Sequence, residues 1–101
     1  MQQLLKDNLT ALSILFKENN VEKAYAFGSI VTDNFNANSD VDFLIRFAEN
    51  IDPIQKGEHW FTLYYTLQNL FKREIDLIRE EDIKNPYLLK TINLNKALVY
   101  G

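Results

Sequence analysis

Apolar residues recur at helical spacing from the start of the chain. Leu5, Leu9, Leu12 and Phe16 follow at intervals of four, three and four, and Leu4, Ala11 and Leu15 widen the stripe. This predicts an amphipathic helix over residues 2–18, ended by Asn19 and Asn20. Val21 to Phe27 predicts a short strand. Gly28 and Ser29 then turn the chain, and Ser29 is placed to cap a short helix over residues 30–35. An Asn-rich loop, Phe35 to Ser39, leads into a second strand, Asp40 to Phe47, where Val41, Phe43, Leu44 and Ile45 indicate burial.

The second half repeats the alternation. Asp52-Pro53 suits a turn or the start of a helix. Trp60, Leu63, Tyr64, Leu67, Leu70 and Phe71 form one face of a helix over 55–71. Lys72 and Arg73 lie at its end, where the helix dipole favours cations. Glu74 to Arg79 predicts a third strand, with Asp76 and Ile78 on one face and Ile75 and Leu77 on the other. Asn85-Pro86 reads as N-cap and first position of a helix that packs through Leu88, Leu89 and Ile92. Ala97 to Tyr100 predicts a last strand. The order α-β-(short α)-β-α-β-α-β implies an α/β (α+β) domain, helices packed on a small sheet. Strand order does not follow from the pattern.

Composition sets bounds. The 101 residues predict one domain, 1–101, and 47% apolar content is ample for a core. A net charge of −3 argues against autonomous nucleic-acid binding, which needs a basic face. With no cysteine there is no disulfide, thiol nucleophile or thiolate zinc site. Lys6 and Asp7 interrupt the first apolar run, so no signal peptide is expected. No segment is long enough to span a membrane, and a soluble cytoplasmic protein is the expectation.

The chemistry concentrates between Phe27 and Ile45. In a strand, Asp40 and Asp42 share one face with Cα atoms roughly 6.5 Å apart. At an effective dielectric near 20, two such charges repel by about 2–3 kcal/mol. A hard divalent cation with oxygen ligands, Mg²⁺ above all, reverses the sign. A glycine permits close backbone approach to a ligand, and the N–H groups that open a helix favour phosphate.

Gly28-Ser29, ten further residues, then Asp40-Val41-Asp42, preceded by Ser39 and followed by Phe43-Leu44-Ile45, resembles the signature of the DNA polymerase β-type nucleotidyltransferases. Asp76, in Glu74-Ile-Asp-Leu-Ile78, matches the third carboxylate of that superfamily. The short length and the tail from Asn85 to Gly101 resemble its minimal, MntA-like members. The likeness covers nearly the whole chain. Asp-x-Asp alone is a weak signal; joined to Gly-Ser at this spacing and a later acid, it is a strong one.

The resemblance implies a polymerase β-like fold and Mg²⁺-dependent transfer of AMP from ATP to a hydroxyl. It implies that Asp40, Asp42 and Asp76 are catalytic and hold two Mg²⁺ ions, with Asp76 helping to deprotonate the attacking hydroxyl. Gly28, Ser29 and Ser39 would contact the nucleotide. So short a chain is expected to lack an acceptor-holding domain, and the acceptor is expected on another protein. In MntA-like systems that partner is a small helical HEPN-type ribonuclease toxin, silenced by AMP on a tyrosine. Many relatives carry a basic Arg-x-Arg-Gly pattern after Gly-Ser; here Ile30, Val31, Thr32 and Asp33 stand instead.

Plainer readings stand beside these. Asp40 and Asp42 can be surface acids flanking a strand, Asp76 a solvated acid in an edge strand, and Gly28-Ser29 an ordinary turn. His59 reads as an exposed helix residue rather than a base; Trp60, Tyr64 and Phe71 as core. Lys72-Arg73 reads as helix-end charge, with a triphosphate contact as the sharper option. Tyr100 packs on the sheet or meets a partner. Two functions stay open: an AMP-transferring antitoxin, and an inactive one that neutralises its partner by binding alone. Transfer to a small molecule such as an aminoglycoside is a third.

Overall fold

The computed structural model describes residues 2–101. The predicted first helix is two: α1, Gln3–Asp7, and α2, Leu9–Glu18. The break is at Asn8, whose side-chain Nδ2 donates to the Leu4 carbonyl 2.8 Å away and competes with the helical ladder. β1 follows at Val21–Phe27. The expected helix over 30–35 is instead a 3₁₀ turn at Gly28–Val31. Ser29 does not cap it; the Ser29 carbonyl accepts from both the Thr32 amide (2.9 Å) and hydroxyl (2.8 Å), which closes the turn early.

β2 spans Val41–Phe47, so Asp40 stands one residue before the strand. α3 begins at Pro53, earlier than its apolar stripe suggests, because Asp52 caps it by accepting from the Gln55 amide at 2.9 Å. It ends at Phe71, with Lys72 in the left-handed conformation. β3 is Ile75–Arg79, followed by a 3₁₀ turn at Glu80–Asp82 that periodicity did not predict. α4 is Pro86–Asn95, capped by Asn85 as expected, and β4 is Ala97–Tyr100.

The strand order is β3-β2-β1-β4. β1 runs antiparallel to β2 and to β4; β2 and β3 are parallel, joined through α3. α2 and α3 cover one face of the sheet. Phe43 lies at its centre, with the Phe16 and Phe71 rings each 5.9 Å away. Val41, Phe43, Ile45 and Phe47 all join this core, as strand alternation requires. Asp42 and Asp76 therefore project to the opposite face.

Several side chains differ from expectation. His59 is half-buried and ties α3 to the end of α2, with Nδ1 3.0 Å from Asn19 Oδ1 and Nε2 3.0 Å from Asn20 Nδ2. Trp60 and Tyr64 are half-buried and stacked at 5.1 Å, while Phe71 is buried. The Trp60 indole N–H donates to the Leu77 carbonyl at 3.0 Å, occupying a group of edge strand β3. On α4 only Ile92 is buried; Leu88 is exposed. Tyr100 packs against the core, 6.1 Å from Phe16.

Candidate active site

The site is set by two strand pairings. Phe27, last residue of β1, pairs with Asp42, and Asp42 pairs with Asp76 across the parallel β2–β3 ladder. Side chains at paired positions share a face, so two of the three acids stand side by side. Asp40 approaches from just before β2. Its charge reaches Asp42, as does that of Asp76.

Gly28 closes the other side of Asp42. Its φ is +75°, a conformation that favours glycine. A Cβ there would run into the Asp42 carboxylate, ending 3.3 Å from its Cγ. Close approach of the turn to the acid thus requires this glycine. Ser29, next in the turn, is half-buried.

Asp42 is half-buried, whereas Asp40 and Asp76 are exposed. Burial first, then the charges of Asp76 and Asp40, push the Asp42 carboxyl up from its ordinary 3.8 to about 6. Among the described residues no group of three His, Cys, Asp or Glu side chains is gathered at the spacing of a ready-made metal site. The chemistry of the donors nonetheless suits a hard divalent cation: they are carboxylate oxygens, and after burial the charges of Asp76 and Asp40 are what raise Asp42, a repulsion that a cation would offset.

Ser39 is turned into its own loop. Its hydroxyl accepts from the Asn36 amide at 3.0 Å, and its amide donates to the Asn36 carbonyl at 3.1 Å. The loop is held from outside by Arg73, which the sequence suggested only as helix-end charge or a triphosphate contact. One guanidinium nitrogen donates to the carbonyls of Asn36 (2.7 Å) and Ser39 (2.9 Å), and the group lies 4.4 Å from the centre of the Phe35 ring. Its position three residues before Asp76 was the available signal.

A pocket of about 250 Å³ adjoins the Gly28 turn, lined by Phe27, Gly28 and Thr32 on one side and by Leu88, Thr91, Ile92 and Asn95 of α4 on the other. A larger one, about 400 Å³, lies between α3 and β3 against Trp60, Phe61, Arg79 and Asp82; Asp40, Asp42 and Asp76 line neither pocket. The first pocket meets the acids only through Gly28, the neighbour of Asp42.

The family described as "Polymerase beta, Nucleotidyltransferase" matches residues 10–101. The chain belongs to this family. It is therefore a nucleotidyltransferase. A relative from Methanocaldococcus jannaschii, named "putative protein adenylyltransferase", is 34% identical over 97 residues, which is 95% of this chain and 93% of the relative. Two solved structures share the fold. A toxin–antitoxin complex with AMP-PNP superposes with a TM-score of 0.74 at 21% identity, covering 93% of this chain and 73% of that one. A tri-AMPylated Shewanella oneidensis HEPN toxin in complex with its MNT antitoxin gives 0.68 at 18% identity, covering 96% and 72%. Among the described residues no helix is long and apolar enough to cross a membrane.

Proposed function

We propose that this nucleotidyltransferase moves AMP from ATP to a hydroxyl, a tyrosine of a HEPN-type toxin, and acts as the antitoxin of that partner. The pairing of Asp42 with Asp76, with Gly28 pressed against Asp42, carries the reading. Support comes from the relative named as a protein adenylyltransferase and from the fold shared with an antitoxin whose toxin partner is AMPylated.

In this mechanism Asp40, Asp42 and Asp76 would hold the divalent metal ions. Two Mg²⁺ ions, when bound, supply charge neutralisation at the attacking and leaving oxygens. The Gly28-Ser29 turn accepts the β- and γ-phosphates against its backbone N–H groups. Asp76, exposed at the end of the acid row, receives the proton of the acceptor hydroxyl. The hydroxyl oxygen bonds to the α-phosphorus as the bond to the pyrophosphate oxygen breaks. Much of the rate enhancement is positioning and electrostatic stabilisation.

The deciding experiment incubates the protein with Mg²⁺, ATP and a HEPN-type toxin, sought first among the proteins encoded beside it, then weighs the partner. Gain of one or more AMP units is expected, and an unchanged mass overturns the reading. A second reading, neutralisation by binding alone, draws on the absence of any basic residue in Ile30–Asp33. Replacing Asp40 and Asp42 by Asn separates the two: neutralisation that survives intact favours binding.

A further inference from the structure

We infer that Arg73 is a positioning residue for the acid site: by clamping the Phe35–Ser39 loop it fixes where Asp40 stands relative to Asp42 and Asp76. This rests on the proposed role of those acids as metal ligands.

Asp40 is the one acid of the three outside a strand, so no ladder hydrogen bonds of β2 or β3 hold its position. Its placement depends on the turn before it. That turn is closed internally by small polar contacts: Ser39 amide to Asn36 carbonyl, Asn36 amide to Ser39 hydroxyl, and Asn38 amide to Asn36 Oδ1 at 2.8 Å. All involve exposed or half-buried groups open to competition from water.

Arg73 adds what the turn lacks. Its guanidinium bridges the carbonyls at both ends of the turn, Asn36 and Ser39, and lies on the Phe35 ring before it. Charge-assisted hydrogen bonds are the stronger kind, and the planar guanidinium lies on the ring while one of its nitrogens serves both acceptors. The anchor is itself tied to β2. Arg73 joins α3 to β3, next to Glu74, whose carbonyl takes the Val41 amide at 3.1 Å. The residue that clamps the loop before β2 is thus three positions from Asp76, so one short segment ties the two acid-bearing strands together.

An outer partner that orients a ligand typically changes metal affinity by about 10–100-fold when removed. The test compares wild type with R73M and R73K. The control is R46M, the same change at an exposed arginine near the far end of β2. Mn²⁺ binding is followed by the resonance of the free ion, which needs no turnover, and hydrogen exchange at the Ser39 amide is read without metal. We expect R73M to weaken Mn²⁺ binding about tenfold or more and to speed Ser39 exchange while the Val41 amide stays protected. R73K should fall between, and R46M should match wild type. With ATP, R73M should raise the Mg²⁺ concentration for half-maximal rate while the ATP KM at saturating Mg²⁺ stays unchanged.

R73M that binds Mn²⁺ as tightly as wild type, or that leaves Ser39 exchange unmoved, overturns the inference. So does an equal loss in R46M. A difference in Mn²⁺ affinity with no AMP transfer by any form upholds the clamp and removes the proposed reaction. If wild type binds no Mn²⁺, the metal-ligand reading of the acids and the inference built on it fall together.

Discussion

Asp42 shows most directly how one side chain registers its surroundings. Its carboxyl is raised from 3.8 to about 6 by burial and by Asp76 and Asp40. A raised folded-state pKa means the native protein holds the proton more tightly than the unfolded chain. The resulting stability is complete below about pH 4 and is lost as pH rises through about 6. The full displacement corresponds to about 3 kcal/mol, and because the carboxylate is partly open to water, screening reduces this to about 1–2 kcal/mol. Metal-free D42N should therefore gain stability over wild type between pH 4 and 6 and hold a constant advantage above, read as the difference in urea midpoints. Gly28 gives a second expectation. G28A combines a left-handed backbone with a collision against Asp42 and should cost about 2–4 kcal/mol, seen in the same unfolding curves. The sequence showed which residues to watch but not these values, since burial and the approach of Asp76 exist only in the folded chain.

Helix ends were the most legible feature among the elements. Asn85 and Asp52 both cap where local chemistry indicated, Asn85 accepting from the Tyr87 and Leu88 amides. N85A should lower stability by about 1 kcal/mol in a thermal melt. The C-terminal end of α3 is less suited to its residue: Lys72 sits at φ 55° with its amide bonded to the Gln68 carbonyl. K72G should stabilise by about 0.5–1 kcal/mol, and an unchanged melting temperature would argue against the strain. The breaks at Asn8 and Val31 were not legible, because a periodic stripe continues through a local kink. A side-chain amide taking a backbone carbonyl, or a threonine bonding back to Ser29, leaves no mark on hydrophobic spacing.

For the whole molecule, the proposed site joins ligand binding to folding. If Mg²⁺ is held where three acids meet, it binds the native state alone, and at about 100 times its Kd adds about 2.7 kcal/mol. Without metal, D42N should melt above wild type; with saturating Mg²⁺ the order should reverse, because the variant has lost a ligand. The same order with and without Mg²⁺ would remove Asp42 from the metal site. This crossing reads the site without an acceptor, a nucleotide or turnover.

The sequence by itself determined the alternation of helices and strands, the caps at Asp52 and Asn85, and the family. These signals are local, written in side-chain spacing along a single segment. The tertiary structure alone decided that β2 lies between β1 and β3, giving Asp42 the Gly28 turn on one side and Asp76 on the other. It also decided that Arg73 reaches back across 34 residues to the Ser39 carbonyl. Strand neighbours and such long reaches are selected by how the helices bury Phe43 and its companions, a choice made by the packed core together rather than by any one stretch of chain.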